Sequence, residues 1–300
     1  MKLSAALGTA LLAGAGSAKP VKFDTDTNLR IISYNIRAAK AELSTGEPAW
    51  AVRRPLLAEQ IQNETADRPE SLVCLQEVAP QQLLDIREDL GETWTHVGVG
   101  RVNGADKGEF APILYQPGTW ELTQNRTYWL SETPDVPGSK GWDTAVVRIA
   151  NVAQFSHVQT GAELVYICTH WDHKGTVARL ESAKMMVNIS NEWSESDTIP
   201  VFLGGDLNAE PDEDSYAELI AEGAFNDAIG LVAPENKSGP YETFTGFTDS
   251  TSGDKRLDYV FSNQEAQRLD FQTHTVSPNK KDGVWISDHR SVIVDSVLRG

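Results

Sequence analysis

The segment Val201-Phe202-Leu203-Gly204-Gly205-Asp206-Leu207-Asn208-Ala209-Glu210-Pro211 constrains the fold more than any other stretch of this chain. Val201, Phe202 and Leu203 read as a short strand buried on both faces, the pattern of a sheet covered on either side. The two glycines read as the point where the backbone turns out of the sheet. Asp206 and Asn208 would then project from the strand end on one side, one pleat apart. A carboxylate beside an amide suits an attacking water and a charged oxygen held side by side. Gly-Gly-Asp also builds ordinary turns, so this reading depends on partners elsewhere in the chain.

Those partners recur at the ends of other apolar segments. Strands are expected at Leu29 to Asn35, Ser71 to Glu77, His96 to Gly100, Ile113 to Tyr115, Arg148 to His157, Leu164 to Thr169, Pro200 to Gly205, Leu257 to Phe261 and Val292 to Val297. Apolar residues at helical spacing predict helices over Trp50 to Thr65, Gln81 to Leu90, Val177 to Trp193 and Ser215 to Glu222. No internal repeat or Pro/Gly/Ser linker divides the chain, so one α/β domain over residues 19–300 is expected. Its strands finish in polar residues: Ser33-Tyr34-Asn35, Leu75-Gln76-Glu77, Thr169-His170-Trp171-Asp172-His173 and Asp206-Leu207-Asn208. Arg256-Leu257-Asp258-Tyr259 and Ser287-Asp288-His289-Arg290 follow near the C-terminus. Strand ends are where an α/β scaffold usually carries its chemistry.

Taken singly, each of these residues has a structural alternative. Asn35 could cap a strand end, Glu77 could be a solvated acid, and Asp258 could pair with Arg256. Taken in order, the set resembles the endonuclease/exonuclease/phosphatase superfamily, which includes deoxyribonuclease I-type nucleases, neutral sphingomyelinases and deadenylases. The resemblance covers most of Leu29 to Val297. It rests on Ser-Tyr-Asn-Ile at Asn35, Leu-Gln-Glu-Val at Glu77, Gly-Asp-Leu-Asn at Asp206 and Asn208, Arg-Leu-Asp-Tyr at Asp258, and Ser-Asp-His at Asp288 and His289.

The resemblance implies a four-layered α/β sandwich of two packed, mainly antiparallel sheets with outer helices. It implies metal ligation by Glu77, Asn35 and Asp288, oxygen donors that suit Mg²⁺ or Mn²⁺. Asp206 is expected to orient or deprotonate water, and Asn208 to hold that water or the phosphoryl oxygen. His289 is expected to contact the phosphate, with Asp258 fixing its tautomer. His170 stands where base-excision members carry a tyrosine, which favours a smaller phosphodiester or phosphomonoester over an abasic site. Arg101, Asp172 and His173 are candidate substrate contacts, with Glu109 bracing Arg101.

Composition bears on the substrate and the setting. A formal net charge of −17, without a basic stripe, counts against tight duplex binding. The expected function is a secreted, divalent-metal-dependent hydrolase of a small or lipid-headgroup phosphate ester. A secreted nuclease acting on DNA or RNA is the alternative, and a non-catalytic secreted protein retaining the fold is a third reading. Residues 1–18 read as a signal peptide, and no later segment is long and apolar enough to span a membrane. Asn63, Asn125, Asn188 and Asn236 head glycosylation sequons. Cys74 and Cys168, the only cysteines, are expected to be buried free thiols, with a disulfide as the alternative. The chain is expected to act as a monomer.

Overall fold

A computed structural model of the chain describes residues 25–194, 198–263 and 268–300, so the expected leader at 1–18 lies outside the described residues. The elements run β1 (Thr27–Asn35), α1 (Trp50–Thr65), β2 (Ser71–Gln76), α2 (Pro80–Leu90), β3 (Thr95–Val97), β4 (Ile113–Tyr115), β5 (Trp120–Trp129), β6 (Ile149–His157) and β7 (Glu163–His170). They continue through α3 (Thr176–Trp193), β8 (Val201–Asp206), α4 (Asp214–Ile220), β9 (Asn226–Asp227), α5 (Ala228–Leu231), β10 (Lys237–Ser238) and β11 (Asp258–Ser262). The chain closes with β12 (Leu269–Val276), the hairpin β13 (Lys280–Lys281) and β14 (Val284–Trp285), and β15 (Val292–Leu298).

Two large sheets result, ordered β10-β12-β15-β1-β2-β4-β3 and β5-β6-β7-β8-β11-β9. Alternation along the strands decides how they stack. In β1, Ile31 enters an apolar cluster shared with Tyr166, Cys168, Phe202 and Val260 of the second sheet. Its neighbours Ile32 and Tyr34 point the other way, onto Leu57 and Ile61 of α1 and Leu83 and Ile86 of α2. In the second sheet Val165, Ile167, Val201 and Leu203 face Ala183 and Met186 of α3. Both faces of each sheet are therefore apolar, as a helix–sheet–sheet–helix sandwich requires.

Most neighbouring strands are antiparallel, but β1 with β2, β7 with β8 and the short β10 with β12 are parallel. Parallel neighbours end at the same edge. Asn35 pairs with Gln76, leaving Glu77 next beyond it, and His170 pairs with Asp206. The antiparallel partner β11 begins at that same edge, with Asp258 opposite Asp206.

Two features correct the sequence expectations. Cys74 of β2 and Cys168 of β7 form a disulfide with Cα atoms 5.3 Å apart, so they are not free thiols. These strands belong to different sheets, and stacking face to face brings the two sulfurs together without any hydrogen-bonded pairing of the strands. Gly204 and Gly205, expected to turn the chain, lie inside β8. A Cβ at Gly204 would come within 2.3 Å of the Tyr166 hydroxyl, and one at Gly205 within 2.6 Å of the Thr169 carbonyl oxygen. The glycines serve close packing: the Tyr166 hydroxyl passes Gly204 to donate to the Ile32 carbonyl across the sheet interface at 2.7 Å.

The strands β5 and β12 go beyond the sequence pattern. β5 is an edge strand whose middle, Glu121 to Arg126, is mostly exposed, so it carries no apolar alternation to read.

Candidate active site

The edge where β1, β2, β7 and β8 end, joined by the start of β11 and the loop before β15, surrounds a cavity of about 680 Å³. Glu77, His170, Asp206, Asn208, Asp288 and His289 all line it. Two of these residues take the left-handed backbone conformation, Glu77 at φ 59° and Asn208 at φ 49°. Non-glycine residues rarely adopt that region, and such strain gathers at functional sites. Here it turns each side chain inward directly after its strand.

Asp206 is the hub. Its Oδ2 accepts from Asn35 Nδ2 at 2.9 Å and lies 3.4 Å from His170 Nε2 and 3.7 Å from His289 Nε2. Its Oδ1 accepts from the Asn208 backbone N–H at 2.9 Å. Burial raises its pKa to about 7, with the nearby Asp258 charge adding to the effect and His289 opposing it. An acid titrating there is matched to taking up a proton near neutral pH.

His289 stands between two acids. Its Nδ1 lies 2.8 Å from Asp258 Oδ2, which also accepts from the Thr243 hydroxyl at 2.6 Å. Burial would lower the pKa of this imidazole, yet Asp258 and Asp206 raise it to about 10, so it is a cation at neutral pH. Asp258 does not pair with Arg256, whose guanidinium instead sits 2.7 Å from Asp227. His170 is the opposite case. Burial, then Arg148 nearby, hold its pKa well below the usual value and keep it neutral. Asn208 Nδ2 lies 3.0 Å from His170 Nε2 and donates to the Trp171 carbonyl at 3.1 Å.

Glu77 Oε2 accepts from the Ala38 N–H at 3.0 Å. Although burial works against it, that bond and Arg37 lower the Glu77 pKa. Burial raises the pKa of Asp288, and Glu77 adds to the rise. Arg37 Nη1 lies 4.0 Å from Glu77 and 3.8 Å from Asp288, beyond hydrogen-bonding distance of either. The half-buried Glu77 and the buried Asp288, facing one cavity with Arg37 beyond hydrogen-bonding distance, form a hard-oxygen donor set that fits a divalent ion. Asn35 stands between the carboxylates of Glu77 and Asp206. Its Oδ1 accepts from the Arg37 N–H at 3.0 Å and its Nδ2 faces Glu77 and Asp206, so it bridges the two carboxylates from behind. Asp206, Asp258 and His289 also bring ligand atoms within 4.8 Å of one another. There the imidazolium already supplies a positive charge between the acids.

The three candidate substrate contacts separate. Arg101 and His173 line the cavity, and Arg101 is braced by Glu109 at 2.8 Å. Asp172 is turned away from it. Its Oδ1 accepts from the Lys174 and Gly175 N–H groups at 2.9 and 2.8 Å, and its Oδ2 from those of Ala145 and Val146 at 3.0 and 3.2 Å. These bonds outweigh burial and hold Asp172 well below the usual carboxylate range, the mark of a loop brace. Arg37, Arg148 and Thr243 are the residues that sequence pattern missed. Arg148, a lone charge directly before an apolar strand, was the one legible signal among them.

A sandwich whose parallel strand ends gather acids and imidazoles at one edge is the layout of a family of phosphoesterases and nucleases. The chain belongs to that family: the endonuclease/exonuclease/phosphatase family model matches residues 32–289. Among curated proteins, nocturnin of Rattus norvegicus is 30% identical over 149 residues, covering 46% of this chain and 34% of that protein. The chain thus spans about a third of that relative's length. Among solved structures, an endonuclease/exonuclease/phosphatase from Bacteroides vulgatus superposes with a TM-score of 0.82 at 28% identity, covering 91% of this chain and 100% of that one. A mannosyl-6-phosphatase of Bacteroides thetaiotaomicron gives 0.79 at 30% identity, covering 89% and 99%.

Proposed function

We propose that this chain is a divalent-metal-dependent hydrolase of phosphoric esters, acting on a small molecule or lipid headgroup by in-line attack of water. The observation that carries the proposal is the convergence on Asp206 of a neutral histidine, a cationic histidine and two asparagines. Asp206 accepts the proton of the attacking water, since its pKa of about 7 favours uptake near neutral pH. His289, kept protonated and oriented by Asp258, donates to a phosphoryl oxygen where negative charge builds up. Asn208 and His170 form the neutral wall beside it and hold the water and phosphoryl oxygen in register. Glu77 and Asp288 would hold the ion, with Asn35 orienting Glu77. A divalent cation bound there would neutralise phosphoryl charge and stabilise the leaving oxygen.

The size of the cavity suits a small ester, and the mannosyl-6-phosphatase among the structural neighbours supports the phosphatase side of this reading. We also propose a secreted, glycosylated protein. The disulfide and the exposure of all four sequon asparagines, Asn63, Asn125, Asn188 and Asn236, support that setting.

The purified protein with Mg²⁺ or Mn²⁺ is to be offered p-nitrophenyl phosphate, bis-p-nitrophenyl phosphate, phospholipid headgroup esters, plasmid DNA and RNA. Hydrolysis of the small esters, lost in EDTA and in Asp206→Ala and His289→Ala, is the expected result. Activity persisting in EDTA or in both variants would overturn the mechanism. Plasmid nicking without small-ester turnover would establish the nuclease alternative, and no turnover of any substrate the non-catalytic one.

A further inference from the structure

The cations lining the cavity differ in how far their charge is already engaged. Arg37 is held by Glu47 at 3.2 Å and Ser44 at 2.8 Å, Arg101 by Glu109 at 2.8 Å, and Lys255 by Glu210 at 2.8 Å, while Lys40 is exposed to solvent. Arg148 is not held in this way. It is 6% exposed, and its buried Nε has no hydrogen-bond partner among the described residues. Its Nη2 lies 3.4 Å from His173 Nδ1. Asp172 is 4.0 Å from the Nε, and both of its oxygens already accept from backbone N–H groups. Burial, followed by the neighbouring Arg101, pulls the Arg148 pKa down against the opposing pull of Glu109, Asp206 and Glu77. A guanidinium does not lose its proton in such a setting, so the free protein holds a buried, under-compensated cation. A buried donor without a partner calls for an explanation, and an absent anionic ligand is a physical one.

Its place in the sheet says where that anion would sit. Ala150 of β6 pairs with Thr169 of β7, which sets Arg148 at the same edge as His170. The Arg148 carbonyl accepts from the Leu130 N–H at 2.9 Å, fixing the backbone there. The guanidinium therefore faces the wall built by His170 and Asp206, where the phosphate is held under the hydrolase reading above.

We propose that Arg148 recognises the second negative charge of a terminal phosphate and thereby sets a preference for phosphomonoesters over phosphodiesters. The proposal rests on the ester-hydrolase reading. A monoester carries about −1.5 to −2 charge at neutral pH and leaves three oxygens unesterified. A diester carries a single charge and offers two. A rigid guanidinium fork with a free Nε–H distinguishes the two by charge and by acceptor count, which a lysine does less well. His173 limits the swing of the fork, and Arg101 adds positive potential without giving up Glu109.

The test compares wild type with Arg148→Met, Arg148→Lys and Arg101→Ala on p-nitrophenyl phosphate and bis-p-nitrophenyl phosphate with Mg²⁺. Arg148→Met is expected to lower the monoester-to-diester ratio of kcat/KM by about tenfold or more, the scale of one charge-assisted hydrogen bond, mainly through the monoester KM. Inhibition by inorganic phosphate should weaken in parallel, Arg148→Lys should fall between, and Arg101→Ala should shift the ratio less than either. Equal losses on both esters, or unchanged phosphate inhibition, would overturn the proposal. If Arg148→Met does not fold, Arg148→Lys carries the test, because it keeps the buried charge and removes the fork. Wild type that hydrolyses neither ester would refute the hydrolase reading. In that event the rise in melting temperature with inorganic phosphate still decides the role of Arg148: equal rises in wild type and Arg148→Lys would exclude it.

Discussion

The Asp258 carboxylate lies 2.8 Å from His289 Nδ1 and turns the other face of that imidazole toward Asp206, 3.7 Å from Nε2. Asp258 and Asp206 are also direct register partners across β11 and β8, so the backbone ladder sets the separation that the imidazole spans. Replacing Asp258 by asparagine removes one of the two charges that hold His289 protonated. The variant is expected to lose about a hundredfold in kcat, the scale of a misplaced acid–base group. The His289 pKa is raised from 6.5 to about 10 by Asp258 and Asp206 against the pull of burial. The stabilisation linked to it is present below pH 6.5 and is lost as pH rises through about 10. In Asp258→Asn both the alkaline limb of the rate profile and this loss of stability should move to lower pH, read by pH–rate and urea-unfolding series.

Glu77 is anchored by the Ala38 N–H and by Asn35 and carries its charge into the cavity. Glu77→Gln keeps the shape and removes that charge. The Mg²⁺ concentration for half-maximal activity should rise by about tenfold or more, while Asn35→Ala should produce a smaller shift of the same sign. A Mg²⁺ titration of activity checks both, and an unchanged titration in Glu77→Gln would place the ion elsewhere.

The Cys74–Cys168 bridge closes a sequence separation of 94 residues and ties β2 to β7, the strands that lead into Glu77 and His170. Replacing both cysteines by alanine is expected to destabilise the protein by about 3–4 kcal/mol through the freedom regained by the unfolded chain. Thermal melting should record a fall on the order of 10 °C. A fall of only a degree or two would show that packing alone holds the sheets together.

His274 lies in β12 with its Nε2 buried and without a hydrogen-bond partner among the described residues, and burial pushes its pKa from 6.5 down to about 4. The unfolded chain therefore takes up this proton first as pH falls. The stability linked to His274 is present above pH 6.5 and is lost between there and about pH 4. The loss should reach about 3 kcal/mol. His274→Leu should flatten that part of the stability curve, measured by urea unfolding at pH 7 and pH 4.5.

Asn35, Glu77, His170 and Asp206 were legible because they close apolar runs, and Asp258 because it opens one; apolar patterning identifies such runs locally. Asn35, Glu77, His170, Asp206 and Asp258 stand at the strand ends that pattern indicates and His289 in the loop before β15, and the structure brings them to one cavity or directly behind it. β5 was not legible, because an exposed edge strand has no buried face to mark it. Arg148 gave a weak signal and Thr243 none. Thr243 matters only because one hydroxyl accepts from the Leu257 and Asp258 N–H groups and donates to the Asp258 carboxylate.

The Gly-Gly-Asp-Leu-Asn run shows where the division lies. Sequence by itself determined that a buried strand ends there in an acid and an amide, because apolar patterning and residue chemistry are local properties. Only the tertiary structure decided that Gly204 makes room for Tyr166, that Cys74 and Cys168 join two stacked sheets, and that Arg148 is buried near His170 with a donor unpaired among the described residues. Those outcomes depend on how one sheet lies over another and on which charges share a low-dielectric pocket, distances that no spacing along the chain encodes.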